Sequence, residues 1–197
     1  MGQIPLTVRR WQRTEYDRLV ELGAFAGEPI ELIAGQLVVA EPQGAYHVSV
    51  IGKVDDALRA ILPPGWLVRT QAPLSLDDDS EPEPDLAVVS GRREDYLEVH
   101  PTRPVLLIEV ADSSLDFDRE QKGSLYARAG IADYWIVNLV DHVLEVHRHP
   151  VPEPAAAHGW RYASATRLGP TTVATPLAFP ERPLAVSDLL PSRRRST

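Results

Sequence analysis

Pro104-Val105-Leu106-Leu107-Ile108-Glu109-Val110-Ala111 is a short apolar run broken by a single carboxylate. Its length and its opening proline predict a buried strand rather than a helix, because a proline at the first strand position removes no ladder donor. Glu109 is the anomaly. Taking its carboxylate out of water is costly unless a cation or hydrogen-bond donors compensate, so the residue points to a partner. Upstream, Pro84-Asp85-Leu86-Ala87-Val88-Val89 has the same character, with Asp85 at its opening. If the two runs are neighbouring strands, both carboxylates reach one place. Downstream, Asp118-Arg119-Glu120-Gln121-Lys122 lies on a helix expected over 117–129, stopped by Gly130, and Tyr134-Trp135-Ile136-Val137 reads as a third buried strand.

Two carboxylates at strand ends beside one lysine make an oxygen-donor site of the kind that suits a magnesium ion keeping several waters. The lysine carries information of its own. Of 20 cationic residues, all but Lys53 and Lys122 are arginine. Arginine keeps its proton at any useful pH, whereas lysine can surrender one when burial or a metal lowers its pKa. Lys122 therefore stands out as a residue chosen for chemistry.

The order Pro84-Asp85, a strand ending in Glu109-Val110, Asp118-x-x-x-Lys122, and then Tyr126-x-x-x-Gly130-Ile131-x-x-Tyr134-Trp135-Ile136-Val137 resembles the Uma-two family of inferred restriction endonucleases, a branch of the PD-(D/E)XK nuclease superfamily. The likeness runs from about Glu31 to His147. It implies a mixed α/β (α+β) fold with a restriction-endonuclease-like central mixed sheet flanked by helices, plus an added N-terminal hairpin. It also implies a metal-dependent endonuclease that hydrolyses phosphodiester bonds of nucleic acid, DNA in the first place, and a homodimer. By resemblance, Asp85 and Glu109 hold Mg2+ or Mn2+ together with the Val110 carbonyl, Glu31 completes the site, and Lys122 orients or deprotonates the attacking water. One departure stands out. The lysine expected two residues after the glutamate is Ala111, and Lys122 on the next helix takes its place. The alternative reading is a catalytically inactive, dimeric binding or scaffold protein on the same fold, supported by that departure and by the acidic net charge.

Composition bounds the rest. The 197 residues are enough for one domain with a full core, expected over 1–190, followed by a basic tail over 191–197. The absence of cysteine excludes disulfides, thiolate metal sites and thiol catalysis, and leaves a reducing cytoplasm as the default compartment. No apolar run approaches the ~18 to 20 residues that cross a bilayer. A net charge of -8 argues against a broad basic grip on DNA. A nuclease would then rely on metal ions and a local basic patch, for which Arg92, Arg93, Arg103, Arg119 and Arg128 are candidates.

Elsewhere the chain predicts a helix over 14–22 capped by Thr14, a hairpin over 30–40 turning at Ala34-Gly35, and a helix over 45–62 stopped by Pro63-Pro64-Gly65. His47, in the first turn of that second helix, matches a histidine of the resembled family, yet a lone histidine there reads better as a capping or packing residue. Residues 66–70 and 73–76 read as two arms of a meander. The acidic run from Asp77 to Glu83 lacks the glycine and final glutamate of a calcium loop and reads as solvated. Strands are expected over 133–138 and 143–149, where His147 and His149 read as exposed strand residues. Beyond Pro150, edge strands are expected over 160–163 and 173–179, and a closing strand or short helix over 184–190. Phosphate-binding glycine loops and nucleophile-elbow motifs are absent.

Overall fold

A computed structural model describes residues 7–40 and 43–191; the basic tail Arg193-Arg194-Arg195 lies outside the described residues. Helix α1 (Arg13–Glu21) has its N-cap at Gln12, two residues before the expected Thr14, because Gln12 and Glu15 form a reciprocal capping box. Strands β1 (Ile30–Ile33) and β2 (Gln36–Val39) form the expected hairpin, with Ala34 and Gly35 both at positive φ as a two-residue primed turn requires. Helix α2 (Ala45–Ile61) follows. It buries Val50, Ile51, Val54 and Leu58 at helical spacing and ends at Leu62, before the two prolines.

The body is a six-stranded sheet built from β3 (Trp66–Thr70), β4 (Leu86–Ser90), β5 (Leu106–Ala111), β6 (Asp133–Asn138), β7 (Val143–Pro152) and β8 (Trp160–Leu168), in that spatial order. Every neighbouring pair is antiparallel except β5 and β6, whose parallel pairing needs a crossover. The lysine helix supplies it. The second arm of the predicted meander does not exist: residues 73–76 form no strand, and β3 pairs directly with β4. At the C-terminal side, 173–179 shrinks to a two-residue strand, Val173–Ala174, paired with Leu184–Ala185, and a short helix over Val186–Leu189 closes the chain.

Strand alternation assigns the two faces. Leu106, Ile108, Val110, Trp135 and Val137 point to the side covered by α2, while Leu107, Ala111, Tyr134 and Ile136 point to the side covered by the lysine helix. Each large apolar side chain buried on either side contributes about 1.5–3 kcal/mol. Glu109 alternates with Leu107 and Ala111, so it belongs to the lysine-helix face. The register Leu86↔Ile108 sets Asp85 across from Glu109 on that face.

The acidic run is not a solvated loop. Ser80 and Glu81 are buried, Glu81 bridges Leu32 of the hairpin, and Arg128 grips Asp77 and Asp79 at 2.8 and 2.6 Å. Hairpin, run and lysine helix are thereby tied together. This bond set positions Glu31 beside Lys122.

Candidate active site

The lysine helix is uneven. It is α-helical over Leu115–Phe117, widens to a π turn over Asp118–Lys122, and resumes as α-helix over Gly123–Arg128. A π turn carries an extra residue and re-aims its side chains, and such turns recur at functional sites. Two neighbours make it tolerable here. Tyr134 Oη donates to the Asp118 carbonyl at 3.0 Å. Gly123 has no Cβ where one would stand 3.2 Å from that same carbonyl oxygen. Asp118 and Lys122 are both turned inward and buried.

Asp85, Glu109, Lys122 and Glu31 converge. Lys122 Nζ lies 3.1 Å from Glu109 Oε1 and 3.5 Å from Glu31 Oε1. Glu109 Oε1 also accepts the Tyr126 hydroxyl at 2.7 Å, and its Oε2 accepts the Asp85 backbone N–H at 3.1 Å. Asp85 Oδ2 accepts the Val110 N–H at 2.8 Å, and Glu31 Oε2 accepts the Glu83 N–H at 3.0 Å. Backbone donors thus fix both strand carboxylates in place. All four line a cleft of about 480 Å³ whose walls also include Val38, Tyr46, His47, Glu83, Asp118 and Phe117.

The electrostatics are one-sided. Six carboxylates line the cleft (Glu31, Glu83, Asp85, Glu109, Asp112 and Asp118), and Lys122 is the one lysine or arginine among its described lining residues. Burial pushes the Glu109 carboxyl up to about 8; Lys122 opposes the push and Asp85 adds to it. Burial likewise raises Asp118 to about 6 and lifts Glu83. For Lys122, burial favours loss of the proton, but Glu109, Glu31, Asp118 and Asp85 outweigh it and raise its pKa. The surrounding carboxylates thus favour the ammonium form of Lys122. Burial of Glu109 favours its protonated form in turn.

Three contributors escaped the sequence reading. Asp118, read from the sequence only as one residue of the lysine helix, lines the cleft and accepts a hydrogen bond from Ser114 Oγ at 2.6 Å. Tyr126 shares a helix face with Lys122 at four residues' spacing, the signal that could have exposed it. His47, expected to cap or pack, lines the cleft with Nε2 3.4 Å from Asp85 Oδ2. Of the basic patch, Arg119 is bound to Glu145 and Arg128 to Asp77 and Asp79. Arg92, Arg93 and Arg103 adjoin the end of β4 and the start of β5 remote from Asp85. His147 is tucked 3.4 Å from Glu145 and against the Tyr134 ring, while His149 is exposed as expected.

In donor chemistry the site fits a hard divalent ion. Asp85 and Glu109 give two carboxylates and a surplus of negative charge, and magnesium asks for one or two carboxylates completed by water and phosphate oxygens. Among the described residues no set of three His, Asp or Glu side chains stands preassembled around one ion position. No described helix is long and apolar enough to cross a membrane.

Comparison with known proteins agrees with the geometry. The profile of the Uma2 family, described as "Putative restriction endonuclease", matches residues 13–187. A crystal structure from Anabaena variabilis ATCC 29413, titled as a "putative nuclease belonging to DUF820", superposes with a TM-score of 0.60 at 16% identity over 81% of this chain and 88% of that one. At that identity the likeness establishes the fold. No curated protein matches the sequence.

Proposed function

Because the chain belongs to the Uma2 family, the Uma-two family named above, we propose that it is a metal-dependent endonuclease hydrolysing phosphodiester bonds of nucleic acid, DNA first, as a homodimer. The observation that carries the reading is the convergence of Asp85, Glu109 and Lys122 on the wall of one cleft, with Lys122 Nζ 3.1 Å from Glu109. A structural ion pair would need one carboxylate for one ammonium. This site holds several.

Asp85, Glu109 and the Val110 carbonyl would hold Mg2+ or Mn2+, with Glu31 at the edge of the set. Bound there, the ion lowers the pKa of a water and offsets charge gathering on the phosphorane. The protein's own residues do the rest. Asp85 and Glu109 are pre-aimed by backbone N–H donors, so little reorganisation is needed on loading. Lys122, kept as an ammonium, donates a hydrogen bond to the attacking water or to a phosphate oxygen and stabilises the added negative charge. Tyr126 keeps Glu109 Oε1 turned toward Lys122.

The test is nicking of supercoiled DNA, single-stranded DNA and RNA by the purified chain with Mg2+ or Mn2+, beside Asp85→Asn. Metal-dependent cleavage lost in the variant is the expected result. Cleavage that survives Asp85→Asn, or no cleavage of any substrate, would overturn the reading. One feature favours the non-catalytic binding reading: two of the five arginines considered for phosphate contact are neutralised by carboxylates within the fold. That reading requires a melting temperature insensitive to Mg2+ and Mn2+.

A further inference from the structure

His47 occupies the first turn of α2 and is the one histidine lining the cleft among the described residues. Its Nε2 is shielded from solvent and makes no hydrogen bond within the described structure. A shielded imidazole nitrogen without a partner has lost its hydration for nothing in return. A carboxylate oxygen, Asp85 Oδ2, lies 3.4 Å from it. Asp85 does not depend on that histidine for its pose. Its Oδ2 is held by the Val110 N–H at 2.8 Å and its Oδ1 faces Gln43 Nε2 at 3.3 Å.

The spacing suits a shared ion better than a hydrogen bond. Two donors at about 2.1 Å on adjacent corners of an octahedral cation lie about 3 Å apart, close to the separation found here. A contrast within the molecule sharpens the point. His147 Nε2 also lacks a hydrogen bond and also lies 3.4 Å from a carboxylate, Glu145. Glu145, however, is already filled by Arg119 and Asn138, and His147 is not among the residues lining the acidic cleft. His147 has packing to explain it, against Tyr134 and Tyr162. His47 faces an acidic cavity.

We propose that His47 Nε2 is a direct ligand of the divalent ion beside Asp85, which makes the donor set mixed nitrogen and oxygen and shifts its preference from Mg2+ toward first-row ions such as Mn2+. This rests on the metal-dependent reading above. An imidazole is a poor ligand for magnesium and an acceptable one for manganese, so the residue sets metal choice rather than metal need.

The experiment titrates the full chain with MnCl2 and with MgCl2 by calorimetry and records pulsed EPR of the Mn2+-loaded protein. The wild type should bind Mn2+ more tightly than Mg2+ and show a directly coupled 14N. His47→Gln should lose that coupling and weaken Mn2+ by ~10-fold or more while shifting Mg2+ by less than ~3-fold, and His147→Gln should change neither. Mn2+ bound through Asp85, and so lost in Asp85→Asn, but without 14N coupling in the wild type, overturns the inference and leaves the nuclease reading standing. That spectrum decides even if His47→Gln fails to fold. A wild type that binds neither ion overturns both.

Discussion

Glu109 and Glu145 occupy one transverse row of the sheet, on either side of Ile136, and both are buried. Their partners come from the same π turn, Lys122 for one and Arg119 for the other. Yet they behave in opposite ways. Burial works to raise the Glu145 pKa, but the nearby His147 imidazole and hydrogen bonds from Arg119 and Asn138 outweigh it and hold the carboxyl well below its ordinary value. Glu109 is pushed up to about 8. Arg119 closes on both oxygens of Glu145, at 3.0 and 2.5 Å, which leaves that carboxylate nothing to bind. Lys122 offers a point charge shared among several acids, so Glu109 stays under-compensated and open to a cleft. The fork makes a strut; the ammonium leaves a site.

The comparison breaks most visibly in catalysis. Glu109→Gln or Asp85→Asn should lower cleavage by about 1,000-fold or more, the ~4 kcal/mol expected when a preorganised charge is removed, with circular dichroism unchanged. Glu145→Gln should spare the rate per folded molecule but cost about 2–4 kcal/mol in denaturant titrations, because Arg119 is left buried in part and unpaired. Equal losses of stability in all three variants would make both glutamates struts.

The reciprocal exchange of cations is the next largest effect. Lys122→Arg should lose at least ~100-fold in rate, since the planar fork is larger than the pocket between Glu109 and Glu31 and delivers its donors elsewhere. Arg119→Lys should keep the rate within ~3-fold and cost about 1–2 kcal/mol of stability by replacing a bidentate bond with a single one. Lys53→Arg is the control, since Lys53 donates to the carbonyls of Ser187 and Leu190 and is not among the described residues lining the cleft. A Lys122→Arg enzyme as active as the wild type removes that residue from the mechanism.

Tyr126→Phe tests how much of Glu109's aim is imposed by its hydroxyl partner. A loss of ~10-fold in rate and about 1 kcal/mol in stability is expected, measured by nicking kinetics and urea unfolding. An unchanged rate assigns the hydroxyl to packing alone.

The smallest effect lies in the pH dependence of stability without metal. Glu109 has a raised folded pKa, so the folded state holds its proton more tightly; its contribution is complete below the unfolded carboxyl value and drains away as pH rises toward about 8. Glu145 has a lowered folded pKa, so its contribution is present above the unfolded value and is lost as pH falls. The melting temperature of Glu109→Gln relative to wild type should therefore rise with pH from the ordinary carboxylate value to about 8, whereas that of Glu145→Gln should change only below the ordinary carboxylate value, and there fall as pH rises. Parallel slopes would show that the two carboxylates are equally compensated.

The sequence alone determined the buried strands, the hairpin at Ala34-Gly35, the stop of α2 at its prolines, and the identity of Asp85, Glu109, Glu31 and Lys122 as groups that needed explaining. Those features are local: strand alternation, turn chemistry and the cost of a charge in an apolar run are fixed by neighbours in the chain. The tertiary structure decided what depends on register and on competition between distant partners. It set Asp85 across from Glu109, widened the helix so that Asp118 and Lys122 both turn inward, brought His47 and Tyr126 to the cleft, folded the acidic run against Arg128, and consumed Arg119 in a strut. No pattern in the chain states which arginine meets which carboxylate, because that choice is made by three-dimensional proximity, and it is the choice that separates a charge used for holding the fold from one left free for chemistry.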